Sequence, residues 1–118
     1  MTLVRELTKL FKALSDPNRI RILNMLQVRP LCVCEIQAVL NLATSTVSKH
    51  LAILRDAGFV VDEKKQKWVN YRLNRQSANN MIHDLLPLLL SRMPDDEILK
   101  KDRVSVKTVD RNKLCMLS

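Results

Sequence analysis

Glycine occurs once in 118 residues, and aromatic side chains make up 3% of the chain. That excludes the glycine-rich loops that cradle phosphates in P-loop and Rossmann sites, and the aromatic platforms on which single-strand binders stack bases. Long apolar runs are also missing. The longest, Leu85 to Leu90, is six residues and contains Pro87, against the roughly 18 needed to cross a bilayer. Arg5 and Glu6 fall where a signal peptide would be apolar, so no cleavable leader is expected, and a reducing cytoplasm with no membrane partner is the expected setting. No Ser, His and Asp set and no paired carboxylates stand out, so the chain does not read as an enzyme.

What is present is positive charge on a foldable background. Twenty Lys and Arg against twelve Asp and Glu leave a net +8, the balance of a domain that meets polyanions. An apolar content of 47% is too high for a disordered basic tail. The charge is not spread evenly. Residues 44–75 carry a net +4, half of the excess in about a quarter of the chain.

Leu3, Leu7, Leu10 and Leu14 form a helical apolar stripe over about residues 2–14. Asp16 followed by Pro17 is a helix start, an acceptor for free amides before a residue with no amide to lose, and predicts a helix over about 17–27. Pro30 ends it and leaves 29–33 extended or turn-like. A short helix follows over about 34–41, with Cys34 placed where a cap residue would sit. Thr44, Ser45 and Thr46 then offer caps for a helix carrying Val47, Leu51 and Leu54, which stops at Gly58. Phe59 to Val61 and Trp68 to Leu73 are β-prone runs flanking a charged tip, Asp62 to Lys67. Helix, turn, helix and basic hairpin in that order predict a mainly α fold with a small β-hairpin wing, a winged helix-turn-helix.

Asn74 is a candidate cap for a fifth helix through Leu89 that Pro87 bends or restarts. That helix is apolar on too many sides for a chain this small to cover, so a homodimer built on the first and fifth helices is expected. Residues 1–92 are therefore read as a DNA-binding and dimerisation domain, and 93–118 as a C-terminal tail. Within the tail, 95–101 offers a turn or two of helix and 104–109 half-alternates like a weak strand, so the tail stays unassigned.

A recognition helix needs short hydrogen-bonding side chains in its first turn to reach base edges, and an apolar face to stay docked. Thr44, Ser45, Thr46, Ser48 and Lys49 supply the first need. Lys49, Arg55, Lys64, Lys65 and Lys67 are the candidate phosphate contacts, which position a protein on duplex DNA without reading it. His50 reads as a packing or phosphate-contacting residue. His83 has no second histidine at metal spacing, and Trp68 and Tyr71 read as hairpin packing.

Cysteine is scarce and odd in number, at three. Cys32 and Cys34 are too close for an ordinary structural disulfide, so free thiols are expected. Two soft sulfur donors placed directly before a helix select thiophilic ions, and a helix N-terminus should lower the pKa of Cys34. Residues i and i+2 point about 200° apart in an α-helix but share a side in an extended chain. One ion can therefore bridge both sulfurs only while this stretch is unwound, and capture opposes helix formation there.

The segments LCVCEI, TVSKHLAILRDAGFV and KWVNYRL resemble the ArsR/SmtB family of metal-sensing repressors, closest to its arsenic-responsive members, over about residues 5–90. The resemblance implies a dimeric winged-helix repressor that leaves operator DNA when trivalent arsenic or antimony binds cysteine thiolates, with no required cofactor. It places Cys32 and Cys34 among the inducer ligands and Ser45, Thr46, Ser48 and Lys49 on the DNA-reading face. Some arsenical sensors carry a third cysteine where this chain has Gln37. Cys115 is the candidate replacement, since the 24 residues from Ser91 to Cys115 extend to about 80 Å. Two other readings use the same residues: a thiol redox or other soft-metal sensing repressor, and an architectural DNA-binding protein with idle cysteines. An arsenate-reducing enzyme is disfavoured because no anion-cradling loop lies near the thiols.

Overall fold

The computed structural model describes residues 2–93 and 96–110. The chain runs α1 (Thr2–Leu14), α2 (Pro17–Leu26), α3 (Val33–Leu40), α4 (Thr44–Ala57), β1 (Val60–Lys65), β2 (Trp68–Leu73), α5 (Asn80–Ser91) and α6 (Glu97–Thr108). This is the expected winged helix-turn-helix order with one further helix.

Local chemistry explains most boundaries. Asp16 Oδ1 accepts from the N–H groups of Asn18 and Arg19 at 2.8 and 3.2 Å, so α2 starts at Pro17. Gly58 closes α4 at φ 95°, a left-handed conformation that a side chain resists. A Cβ there would meet Ile82 Cγ1 at 3.4 Å, an ordinary contact, so the backbone conformation and not lack of space calls for glycine. Asn41, at φ 57°, closes α3 in the same left-handed way.

The core is built from one face of each helix. Leu10 and Ala13 of α1, Ile22, Leu23 and Met25 of α2, and Val47, Leu51 and Leu54 of α4 are buried together with Phe59 and Val60 at the root of the wing. Strands β1 and β2 pair antiparallel from Val60↔Leu73 to Lys65↔Trp68. A rung between Leu31 and Tyr71, with N–H···O distances of 3.1 and 2.8 Å, ties the root of the wing to the linker after α2.

Several local expectations are corrected. The charged residues Asp62 to Lys65 lie within β1, and the hairpin turns through Gln66 and Lys67, with Gln66 at φ 57°. A run of charged side chains is compatible with a strand whose two faces both meet water. The N-cap of α4 is Ala43, not a hydroxyl residue, because the Thr44 hydroxyl donates instead to Gln37 Oε1 at 2.9 Å. The cap of α5 is Asn79, whose side chain accepts from Met81 N–H at 2.9 Å, whereas Asn74 donates to Gly58 O at 3.1 Å. Pro87 sits inside α5 without restarting it.

The largest correction concerns the tail. Instead of a weak strand, residues Glu97–Thr108 form α6, capped by the Asp96 side chain on Leu99 N–H at 3.0 Å. Leu99, Asp102 and Val106 recur at helical spacing and are buried against α2 and α3. Arg21 binds both oxygens of Asp102, at 2.7 and 3.0 Å. Asn24, fully buried, donates to Leu99 O at 2.9 Å and accepts from Arg103 at 2.7 Å. Asp102 is 4% exposed, so removing its cation strands a charge away from water. Arg21→Ala is expected to destabilise the chain by about 3 kcal/mol, read as a lowered midpoint in urea unfolding.

Candidate nucleic-acid interface and thiol segment

The N-terminal half of α4 presents Thr44, Ser45, Ser48 and Lys49 to solvent, with Thr46 half-buried, while Val47 and Leu51 point into the core. Helix α4 is held from three sides, by α1, α2 and α3, so its outer face is set by packing. Arg19 adds a polar clamp. Its guanidinium donates to the carbonyls of Ala13 and Lys12 at 2.8 and 3.0 Å, and to His50 Nδ1 at 3.1 Å. A guanidinium only donates, so His50 accepts at Nδ1 and carries its proton on Nε2. His50 is thus a packing residue that fixes α4 to the end of α1. Nothing in the sequence pattern marked Arg19 for this task.

The candidate phosphate contacts fall into two groups. Lys49 and Lys64 are exposed, one on α4 and one on the wing. Arg55 bridges to Asp62 at 3.1 Å, which ties the end of α4 to β1, Lys65 lies 3.6 Å from Glu63, and Lys67 sits 5.1 Å above the Trp68 ring. These exposed pairs are weak and exchange readily for a phosphate. The same acidic residues place the side chains.

The thiol segment differs from expectation in its cap. The N-cap of α3 is Cys32, not Cys34, and the helix begins at Val33. The reason is Glu35 at the third helical position. Its Oε1 accepts the Cys32 N–H at 3.0 Å while the Cys32 side chain takes the Glu35 N–H, a reciprocal capping box. The C-x-x-E spacing was the available signal.

Cys32 is 3% exposed. Burial pushes its thiol pKa up, and the Glu35 carboxylate adds to that, against the lowering by the Glu35 and Cys34 N–H groups. The cap position therefore does not make this thiol acidic. Cys34 is half-buried on the first turn, and its sulfur is engaged in a disulfide, which corrects the expectation of free thiols at this position. Cys32 is the free cysteine among the described residues, and Cys115 lies outside them.

Among the described residues no cluster of three His, Cys, Asp or Glu side chains converges on a metal-sized site. His83 is exposed with Asp84 at 3.7 Å. Among the described residues Cys32 offers a soft thiol donor, and Cys34 would add a second once its disulfide is reduced, a chemistry that suits a thiophilic ion.

These features can be set beside known proteins. A family model described as bacterial regulatory protein, arsR family, matches residues 16–61. The arsenic resistance transcriptional regulator ArsR2 of Pseudomonas putida is 35% identical over 101 residues, covering 85% of this chain and 85% of that protein. The chain belongs to the ArsR family. It is a DNA-binding transcriptional repressor, not an enzyme. The arsenical resistance operon repressor of Escherichia coli is 42% identical over 67 residues, covering 56% of this chain and 57% of that protein. Among solved structures, reduced HlyU from Vibrio cholerae aligns with a TM-score of 0.62 at 32% identity, covering 79% of this chain and 93% of that one. In this ArsR-family chain no helix among the described residues is long and apolar enough to cross a membrane.

Proposed function

We propose that this repressor binds operator DNA as a homodimer and, with the disulfide at Cys34 reduced, releases it when trivalent arsenic or antimony is captured by Cys32 and Cys34, with Cys115 as third sulfur. The observation that carries the reading is that both cysteines sit on the first turn of α3, the helix packed against the DNA-reading helix α4. Val33 is helical here, so an ion bridging the two sulfurs must unwind that turn and open the Cys32–Glu35 box. Gln37, one turn further along α3, receives the Thr44 hydroxyl from α4, and Leu31 next to the cap is paired with the wing. A shift at the cap therefore reaches both DNA-contacting elements. Release follows to the extent that the ion binds the unwound state better than the helical one.

Relatives named for arsenical resistance support the choice of ligand. In the dimer, the exposed Leu3, Val4 and Phe11 of α1 and Leu88 of α5 would be covered by a second copy. As for Cys115, Val109 at the end of α6 accepts from Arg29 at 3.1 Å. Cys115 follows six residues later, a reach of about 20 Å. The residues assigned to DNA are Thr44, Ser45, Thr46, Ser48 and Lys49 of α4, with Arg55, Lys64, Lys65 and Lys67 on the phosphates. A redox-responsive repressor is the second reading, favoured by the disulfide at Cys34.

The test uses reduced protein bound to fluorescent duplex from immediately upstream of its own gene. Arsenite should lower the anisotropy to that of free DNA. Cys32→Ser with Cys34→Ser should bind the duplex but ignore arsenite, and normal release by that variant would refute the assignment. Release by peroxide and not by arsenite would select the redox reading. Arsenic-edge X-ray absorption should count three sulfur neighbours in the parent chain and two in Cys115→Ser, and an unchanged count would remove Cys115 from the site. Lys49→Ala should weaken binding on all sequences alike and reduce the slope of log K against log salt by about 1. Sequence-dependent loss would instead make Lys49 a base reader.

A further inference from the structure

Arg29 holds two helix ends at once. Its Nη2 donates to Glu35 Oε2 at 2.9 Å and to the carbonyls of Val106 and Val109 at 3.1 Å each. Those carbonyls end α6, where the helix has acceptors without partners of its own and favours a cation. Glu35 in turn closes the N-terminus of α3 through the Cys32 N–H, where a carboxylate is favoured. The carboxylate is 3% exposed, so it cannot turn to water when one partner leaves. The first turn of α3 and the last turn of α6 thus share one ion pair, although Arg29 and Val106 are 77 positions apart in the chain.

We propose that Arg29 and Glu35 are positioning residues that couple the thiol segment to α6, so that capture at the cysteines undocks the last turn of α6 and docked α6 restrains capture. This rests on the metalloid-responsive reading. Unwinding the first turn takes the Cys32 N–H away from Glu35 and displaces the carboxylate to which Arg29 is anchored. Linkage makes the effect reciprocal: whatever loosens α6 favours the unwound turn and raises the apparent affinity of the thiols. Neither residue needs to touch the ion.

Hydrogen exchange followed by mass spectrometry on the full reduced chain tests the coupling. Without ligand, Arg29→Lys keeps a positive charge beside Glu35 but its side chain is one atom shorter, so its nitrogen falls short of the position from which Nη2 reaches the carboxylate and both carbonyls. It should speed exchange in residues 32–36 and in 106–110 together and leave α4 unchanged. Faster exchange at one end alone would overturn the coupling whether or not the protein senses metalloids. With arsenite, the parent chain should exchange faster at both ends, and a response confined to 32–36 would overturn it as well. Glu35→Gln can still accept the Cys32 N–H, as capping boxes use either side chain, but cannot pair with Arg29. It should release DNA at an arsenite concentration about fivefold lower, with looser α6 in the absence of ligand. An unchanged release curve in that variant would reduce Glu35 to a cap. Arsenite that alters exchange nowhere and releases no DNA would instead defeat the metalloid reading, with the ligand-free comparison still deciding the coupling.

Discussion

A carboxylate taken out of water has to be matched by donors or by a cation, and Glu35 is where that demand organises the molecule. Its two oxygens divide between the Cys32 N–H and Arg29. The first contact fixes where α3 begins and therefore how the thiol segment is shaped. The second anchors the end of α6 against the same turn. Had α3 begun two residues later, Cys34 would occupy the cap, and neither the thiol geometry nor the docking of α6 would follow.

The candidate DNA-contacting elements, α4 and the wing, are joined to the same turn. Helix α3 lies against α4, and Leu31, beside the cap, is paired with Tyr71 in the wing. Recognition helix and wing thus rest on a segment whose conformation a ligand at Cys32 and Cys34 would alter. Burial raises the pKa of the Cys32 thiol, so the resting segment is a packed neutral cap and not a poised thiolate. This suits a switch whose unliganded state is the ordered one. Arg19 adds a second hold on α4, tying it to α1 and α2 away from the cysteines.

Much of the fold was legible locally. Asp16-Pro17, the leucine stripe of α1 and the Gly58 stop are decided by neighbours in sequence, and the structure has them where the pattern puts them. The cap of α3 and the start of α6 were legible in principle, through Cys32 to Glu35 and through Asp96 before Leu99. They were missed because a cysteine is an unusual cap and because alternation over 104–109 competed with a helical period that also suits those residues. The candidate DNA residues were identified as a set. Which of them are exposed, and which are paired with Asp62, Glu63 or Trp68, depends on strand register.

By itself the amino-acid sequence determined the element order, the winged helix-turn-helix class, the concentration of positive charge over α4 and the hairpin, and the presence of two soft donors beside a helix start. These follow from spacing and side-chain chemistry within a few residues. Only the tertiary structure decided that α6 docks on α2 and α3, that Asp102 belongs to Arg21, and that Arg29 joins Glu35 to the end of α6. Arg21 and Asp102 are 81 positions apart, and Arg29 and Val106 are 77. A buried charge is satisfied by whichever partner the packed backbones bring within hydrogen-bond reach, and no local pattern carries that information.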